Sequence, residues 1–445
     1  MSSADLDPST HLDSPTPHIP TARRSTARRV VLLLVAFALI VGLPGAAAAA
    51  YAFRPNRHSI ALPPMPTPSP KPTIPTSVGD TTALRMLVVR DGVAAALTKL
   101  AGALLAQDQA TYLQVATSPG ATAMLRRQYR NLTAMRVSVY RVNAGALLGG
   151  DKPGQWKVAL NIDVCFVRPD CAPVRVVEPS VWQDTADGPQ LIALSPSKTG
   201  SHWYENTHPW ELADLYVAIG PRTMVAATAA LRGRLPAALA AAEKGAAKAD
   251  QYAVGDRKPD QYRVYLASKG EWKTWFGGQR AKWAIGYSLS TGPYSADVVL
   301  NSAEISASYL PGVMRHELTH TASAYGTYYW SNNWWLIEGY AEAAEHGLTW
   351  DATSVTRRFA DSGWNGKLPG NSPADNASVA AANGRYGVAF LAVYRLEQRF
   401  GRAALIDFFN RVVRGGRSFA EASPLSFHSG WAAVEADLIR FIKRY

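Results

Sequence analysis

The segment that decides the fold of this protein reads Met314-Arg315-His316-Glu317-Leu318-Thr319-His320. Its H-E-x-x-H pattern lies inside a predicted helix that runs from Ile305 to about Tyr325. Four residues advance about 6 Å along a helix and a little over one turn, so His316 and His320 project from one face. Two imidazoles in this arrangement can share one metal ion, usually Zn²⁺. Glu317 lies beside them, where it can take a proton from a water molecule rather than bind the metal.

A second segment supplies the candidate third ligand, and it reads Trp334-Trp335-Leu336-Ile337-Glu338-Gly339-Tyr340-Ala341-Glu342. Between His320 and Glu338 the chain has room to turn back and run a second helix past the first. The Glu338 carboxylate would complete a His₂Glu set for one zinc ion and leave the fourth position to water. Glu342, one turn further on, is predicted either to accept the free N–H of a ligating histidine or to be a solvated helix carboxylate.

Together the two segments resemble the gluzincin (peptidase-MA-like) zinc metallopeptidases, in their W-L-x-E-G-x-A-E branch. In organisation the resemblance covers 222–445. It implies that His316, His320 and Glu338 bind zinc and that Glu317 is the general base. The G-x-M-E-N element that holds a free amino terminus in the aminopeptidases of this group has no counterpart upstream, so an endopeptidase is favoured over an aminopeptidase.

The segment that begins Arg385-Tyr386 resembles the helix that follows in many such sequences. Tyr386 is therefore a candidate donor to the oxyanion of a tetrahedral intermediate, although a packing role is the simpler interpretation. Tyr340, Tyr328 and Tyr329 compete with it. The resemblance further implies that the last strand before the metal-binding helix, 296–301, is an edge strand that borders the cleft and can pair with an extended substrate.

The remainder of the carboxy-terminal region predicts an α+β domain at 222–445. An alanine-rich helix is expected over 222–249, followed by short strands at 262–266, 284–289 and 296–301 and then by helices alone. The histidines that lack ligand spacing are predicted to be structural or exposed; they are His202, His208, His346 and His428.

Residues 81–221 predict a separate α+β domain. Apolar residues at helical spacing fill 81–131, and alternating β-rich segments follow, which together resemble the cone-shaped nuclear-transport-factor-2-like domains. A binding or spacer module is expected there. Cys165 and Cys171, the two cysteines of the chain, are predicted to close a small loop by a disulfide bond, which requires an oxidising compartment.

The first 80 residues predict the location of the protein. Residues 1–29 form a polar tail that ends in paired arginines, and 30–53 are an uncharged apolar run long enough to span a bilayer. The proline-rich residues 54–80 predict a semi-rigid linker. The arginines should stay cytoplasmic, so the folded domains are expected outside the membrane on a single-pass anchor; secretion after signal cleavage is the alternative.

Charge and composition narrow the function classes. The formal net charge is +12, from 46 Lys and Arg against 34 Asp and Glu. No run of basic residues interleaved with aromatics occurs, which argues against nucleic-acid binding. The sequence therefore predicts a membrane-anchored zinc metallopeptidase that acts on peptides or proteins. The alternative is a catalytically inactive, zinc-containing binding or scaffold protein of the cell envelope.

Overall fold

The computed structural model describes residues 81–197, 207–255, 258–277, 281–292, 295–324, 332–347 and 364–445. The predicted tail, anchor and linker at 1–80 lie outside these ranges. Among the helices within them, none is both long and apolar enough to cross a membrane.

Three helices precede an antiparallel meander in the first part of the chain. The helices are α1 (Thr81–Leu105), α2 (Gln109–Leu113) and α3 (Pro119–Ala134), and the strands are β1 (Val137–Gly149), β2 (Gln155–Phe166), β3 (Val174–Gln183) and β4 (Gln190–Leu194). The four strands pair in chain order. Side chains in β2 and β3 alternate between buried and more exposed, because one face of an antiparallel sheet packs on the helices. The predicted order of helices before strands is confirmed.

The predicted disulfide between Cys165 and Cys171 is present. It closes the loop that follows β2. Just after this loop, the backbone N–H of Ala172 donates to the carboxylate of Asp260 at 3.1 Å. The disulfide therefore stabilises a loop that contacts the second half of the fold.

A mixed five-stranded sheet organises that second half. Its strands are β5 (Tyr216–Ile219), β6 (Thr223–Ala227), β7 (Tyr262–Ala267), β8 (Gly286–Gly292) and β9 (Ser295–Asn301), with the short helix α4 (Pro209–Leu212) before β5, α5 (Leu235–Ala249) after β6 and the short helix α6 (Lys269–Trp272) after β7. The order across the sheet is β5-β6-β7-β9-β8. The three central strands β6, β7 and β9 are parallel, and the outer strands β5 and β8 run antiparallel to their neighbours.

Two sequence predictions about this sheet are wrong. The helix expected over 222–249 begins only at Leu235, because Thr223–Ala227 forms β6 and a 3₁₀ turn follows it. All five β6 residues are buried between β5 and β7, so pairing on both sides outweighs the helix preference of alanine. The strand expected at the edge, 296–301, instead lies inside the sheet as β9, because β8 returns antiparallel along its free side.

Both faces of the central strands are buried. Met224, Tyr265 and Val299 belong to the same apolar core as the first sheet and its helices. Their neighbours Val225 and Val264 face the other way, into a core shared with α5 and the helix that carries His316 and His320. The amino-terminal module thus covers one face of the second sheet, and the predicted boundary at 221/222 falls in the turn between β5 and β6.

A buried polar cluster connects the segment before α4 to the centre of this sheet. Nδ1 of His208 lies 3.0 Å from Oδ2 of Asp297, and Nε of Arg263 donates to Oδ1 of the same carboxylate at 2.6 Å. All three residues are buried. His208, predicted to be structural or exposed, therefore has a structural position between the loop before α4 and strand β9.

The rest of the described chain is helical. The helices are α7 (Leu310–Ser323), α8 (Trp334–His346), α9 (Val379–Phe409, broken at Gly401), α10 (Phe419–Phe427) and α11 (Trp431–Ile442), with a π-helical turn at Asn410–Arg414. Helix α7 begins at Leu310 rather than at the predicted Ile305. Pro311 lies in its first turn, where the missing backbone N–H is not needed. Helix α7 packs against α5 and α8, and α8 packs against α9.

Candidate metal centre

The three predicted ligand side chains meet at one point between α7 and α8. Nε2 of His316 lies 3.1 Å from Nε2 of His320. Oε2 of Glu338 lies 3.2 Å from Nε2 of His320 and 3.4 Å from Nε2 of His316. The side chains of His320 and Glu338 are buried, and that of His316 is nearly so. Three potential ligand atoms therefore form an almost equilateral triangle.

The size of this triangle fits a zinc ion. Tetrahedral Zn²⁺ binds nitrogen and carboxylate oxygen at about 2.0–2.1 Å, which separates neighbouring ligand atoms by about 3.3 Å. The observed separations of 3.1, 3.2 and 3.4 Å bracket that value. The donor set of two imidazoles and one carboxylate is also one that zinc prefers, and a tetrahedral ion would retain one open position. Their role as ligands stays a prediction, but the geometry is compatible with it.

Helix packing determines the position of Glu338, the third candidate ligand. Gly339, next to Glu338, lies against α9 so closely that a Cβ atom there would overlap the carbonyl oxygen of Ala389. Trp335 and Ile337 are buried in the aromatic core formed by α8 to α11. Because α8 is held between α9 and α7, the Glu338 carboxylate is presented to the histidines of α7 without depending on a loop.

The electrostatics of His316 and Glu338 favour the binding of a cation over a neutral arrangement. Burial lowers the pKa of His316, but hydrogen bonds to Glu338 and Glu345 outweigh it and hold that pKa well above its ordinary value. Burial raises the pKa of Glu338, but the adjacent His320 and His316 outweigh it, so the pKa lies below the ordinary value. The carboxylates of Glu338 and Glu345 thus favour positive charge at His316 and between the three candidate ligands. A zinc ion would replace the protons there and release them.

Glu317 lies on α7 with a carboxylate that is buried yet incompletely paired. Among the described residues, Glu317 belongs to neither group of side chains whose ligand atoms lie close enough together to hold one metal ion. Its Oε2 atom has no hydrogen-bond partner among those residues. Burial raises the pKa of Glu317, although the neighbouring histidines oppose the shift. A carboxylate with a raised pKa and an unused acceptor atom suits a group that receives a proton. Gly286 of β8 makes room for it, since a Cβ atom there would lie 2.5 Å from Oε1 of Glu317.

Outside the ligand triangle, two further carboxylates approach His316. Nδ1 of His316 lies 3.5 Å from Oε1 of Glu342 and 3.4 Å from Oε2 of Glu345. Glu342 was predicted from sequence, whereas Glu345 was not. The available signal was spacing, because 338, 342 and 345 follow each other at four and three residues and so share one helix face. His346 also lies here, with Nε2 at 3.2 Å from Oε2 of Glu342.

The tyrosines considered as oxyanion donors are distributed differently from the ligands. Tyr386 on α9 borders the cleft, and its ring lies 6.2 Å from the His316 ring and 5.1 Å from the Trp334 ring, measured between centroids. Tyr340 faces away from the cleft, is fully buried and donates its hydroxyl to the carbonyl of Tyr252 at 2.8 Å. Tyr328 and Tyr329 lie outside the described residues. Of the tyrosines in the described ranges that were considered, Tyr386 is the one at the cleft.

An open cleft leads to Glu317 and His316. Its walls come from the start of β8 and the segment before it, from the beginnings of α7 and α9, and from the acidic face of α8. Trp283 forms an aromatic wall with Tyr386, with ring centroids 5.9 Å apart. The edge strand of the sheet therefore borders the cleft as the resemblance implied, but that strand is β8 rather than 296–301.

Comparisons with known proteins are distant. No protein-family model matches the chain, and no curated protein matches it. Native yeast LTA4 hydrolase is similar at 13% identity and a TM-score of 0.32, over 68% of this chain and 58% of that chain. An M1 zinc metallopeptidase mutant from Deinococcus radiodurans is similar at 16% identity and a TM-score of 0.33, over 69% of this chain and 62% of that chain. The chain thus spans less than two thirds of each.

Proposed function

We propose that this protein is a zinc metallopeptidase that hydrolyses peptide bonds. The observation that carries the proposal is the combination at α7 and α8 of a zinc-sized ligand triangle with a buried carboxylate beside it. The triangle is formed by His316, His320 and Glu338, and the carboxylate is that of Glu317. The distant similarity to zinc peptidases agrees with this assignment but does not carry it.

Each group has a defined part in the reaction. A zinc ion held by the triangle would supply a Lewis acid and would bring the pKa of a water molecule close to neutral. Glu317 takes a proton from the attacking water through its unpaired Oε2 and returns it to the leaving amine. Tyr386, which also lines the cleft, is the candidate donor to the carbonyl oxygen as negative charge develops there.

The edge strand supports an extended peptide as the substrate. Strand β8 pairs with β9 on one side, and it is the outermost strand of the sheet next to Glu317. An extended chain can add to such an edge by backbone hydrogen bonds. Residues 286–292 read Gly-Tyr-Ser-Leu-Ser-Thr-Gly and carry no carboxylate. The two carboxylates of α8 that line the cleft, Glu342 and Glu345, already face the imidazoles of His316 and His346. We therefore favour cleavage inside a chain over removal of the first residue.

The location outside the membrane is also a proposal. Its support is the apolar run at 30–53, the arginines before it and the proline-rich linker at 54–80. The disulfide between Cys165 and Cys171 adds support, because such bonds persist in oxidising compartments. Alkaline phosphatase fused after Tyr445 should be active if this orientation is right and inactive if the carboxy terminus is cytoplasmic.

Replacing Glu317 by Gln tests the peptidase assignment. The amide keeps the size of the side chain but accepts no proton, so the variant should retain one zinc ion per chain while cleavage of an unstructured protein falls at least about 100-fold. Wild-type protein treated with a chelator should lose activity and regain it with zinc. A fully active Glu317→Gln protein would contradict the mechanism. A wild-type protein that binds stoichiometric zinc but cleaves nothing would favour the alternative of a binding or scaffold protein.

The substrate is identified by comparing cells that carry wild type with cells that carry Glu317→Gln. Protein amino termini that appear only with the wild type mark the cleavage sites. New termini inside chains would support an endopeptidase, and chains shortened by one residue would support an aminopeptidase.

A further inference from the structure

His316 is held from its outer side by an arrangement that the ligand triangle does not explain. Its Nδ1 atom faces the carboxylates of Glu342 at 3.5 Å and Glu345 at 3.4 Å. The same two carboxylates turn their other oxygens to Nε2 of His346, at 3.2 and 3.9 Å respectively. Two acids thus lie between an inner and an outer histidine.

The three residues on the outer side of His316 differ in solvent exposure. The side chains of Glu342 and Glu345 are almost fully buried, whereas that of His346 is 29% exposed. His346 is the last residue of α8, and its ring also packs edge-on against Phe390 of α9, with centroids 5.4 Å apart. His346 therefore lies where it can hold both carboxylates from the solvent side while α9 fixes its ring.

Helix α7 is shaped to receive one of these carboxylates. A Cβ atom at Gly312 would lie 2.7 Å from Oε1 of Glu345, so any larger residue displaces that carboxylate. Arg315 adds a second tie, because its Nε donates to the backbone carbonyl of Glu345 at 2.8 Å. Contacts from α7 thus determine where the Glu345 side chain and its backbone lie.

From this geometry we infer that Glu345 and His346 are positioning residues for the metal centre, acting with Glu342. The two carboxylates accept the Nδ1–H of His316, which fixes the tautomer with Nε2 free and turns Nε2 toward His320 and Glu338. His346 keeps both carboxylates at this place. By contrast, Nδ1 of His320 has no hydrogen-bond partner among the described residues. Within those residues, His316 is therefore the one histidine of the pair whose ring is held through Nδ1. The inference rests on the proposed zinc site but not on peptidase activity.

Zinc affinity and the spectrum of bound cobalt test the inference without a substrate. Partners of a ligating histidine typically contribute about 10–100-fold to metal affinity. We expect Glu345→Gln and His346→Ala each to weaken zinc binding about 10-fold in the full-length protein, and Glu342→Gln with Glu345→Gln together about 100-fold or more. Co²⁺ in place of zinc should show changed visible absorption bands, since the orientation of His316 alters its ligand field. His346→Gln, which retains a donor, should recover part of the affinity.

A substitution on α7 controls for the possibility that these α8 variants lose zinc because they misfold. Gly312→Ala removes no polar group but displaces the Glu345 carboxylate, so it should also weaken zinc binding. Gly120→Ala in α3 is the matched control, because nothing lies within 4 Å of its added Cβ. Each metal-free variant is compared with metal-free wild type by melting temperature.

The outcomes separate the possible explanations. Unchanged zinc affinity and an unchanged cobalt spectrum in Glu345→Gln and Gly312→Ala would overturn the inference. Two zinc ions per wild-type chain, with the second lost in Glu345→Gln, would also overturn it, because the outer cluster would then be a metal site itself. A protein that shows the expected affinity changes yet cleaves no peptide would contradict only the proposed function.

Discussion

Replacing Gly286 by Ala tests whether the position of the Glu317 carboxylate governs activity. The added Cβ would lie 2.5 Å from Oε1 and 3.0 Å from Cδ of Glu317. Ordinary contact begins near 3.4 Å, so the carboxylate has to retreat by about 0.9 Å. A misplacement of about 1 Å in a reacting group can reduce a rate about 100-fold, which corresponds to about 2.7 kcal/mol of transition-state stabilisation.

The same geometry predicts that stability changes little. The atoms that the new methyl group meets are the ends of flexible side chains, Glu317 and Leu300, rather than backbone. Zinc should remain bound at one ion per chain, because Glu317 is not a ligand. The expected result is therefore a loss of kcat/KM of about 10- to 100-fold with an almost unchanged melting temperature.

The assay combines peptide cleavage, zinc content by mass spectrometry and thermal unfolding. Gly102→Ala in α1 is the control, since its Cβ would meet nothing within 4 Å; it should keep full activity and gain up to about 1 kcal/mol in stability. A Gly286→Ala protein with normal zinc content and wild-type kcat/KM would refute the reasoning. Loss of zinc from this variant would show that β8 supports the ligands rather than the base.

Three further predictions concern stability. Gly339→Ala should lower the free energy of unfolding by about 1–3 kcal/mol and weaken zinc binding, because the methyl group would overlap the backbone of Ala389 and push α8 from α9. Burial raises the pKa of Asp297, but the neighbouring Arg263 and His208 outweigh burial and hold this pKa below its ordinary value. The ionised Asp297 carboxylate therefore contributes its full stabilisation at neutral pH, and this contribution is lost as pH falls below about 4. Asp297→Asn should therefore lower the melting temperature at neutral pH and flatten its decline in acid; an unchanged acid profile would contradict this. A chelator should lower the melting temperature of wild type, because zinc binds only the folded state, and an identical melting curve with chelator would argue against a bound ion.

Spacing alone predicted most of the ligand set. His316 and His320 lie four residues apart in a segment that could form a helix, and helical geometry then places both on one face whatever surrounds them. Glu338 required one more assumption, a second helix that returns past the first. The disulfide followed in a similar way, because Cys165 and Cys171 are the two cysteines available and lie close in sequence.

Other features depended on contacts between distant segments. Thr223–Ala227 is a strand because β5 and β7 flank it on both sides, and nothing within an alanine-rich segment reports such neighbours. The identity of the edge strand depended on where β8 returns. The sequence predicted a binding or spacer module at 81–221, and it did not predict that this module covers one face of the second sheet.

The candidate metal centre likewise combines features that the sequence predicts with features that depend on packing. The sequence by itself determined which side chains could bind zinc, because ligand chemistry and helical periodicity are local properties. Only the tertiary structure decided that the ligand atoms stand 3.1–3.4 Å apart, that Gly286 leaves room for Glu317, and that Glu345 reaches His316. These distances arise from how α7, α8, α9 and β8 pack, and packing is set by the shapes of side chains far apart in the chain.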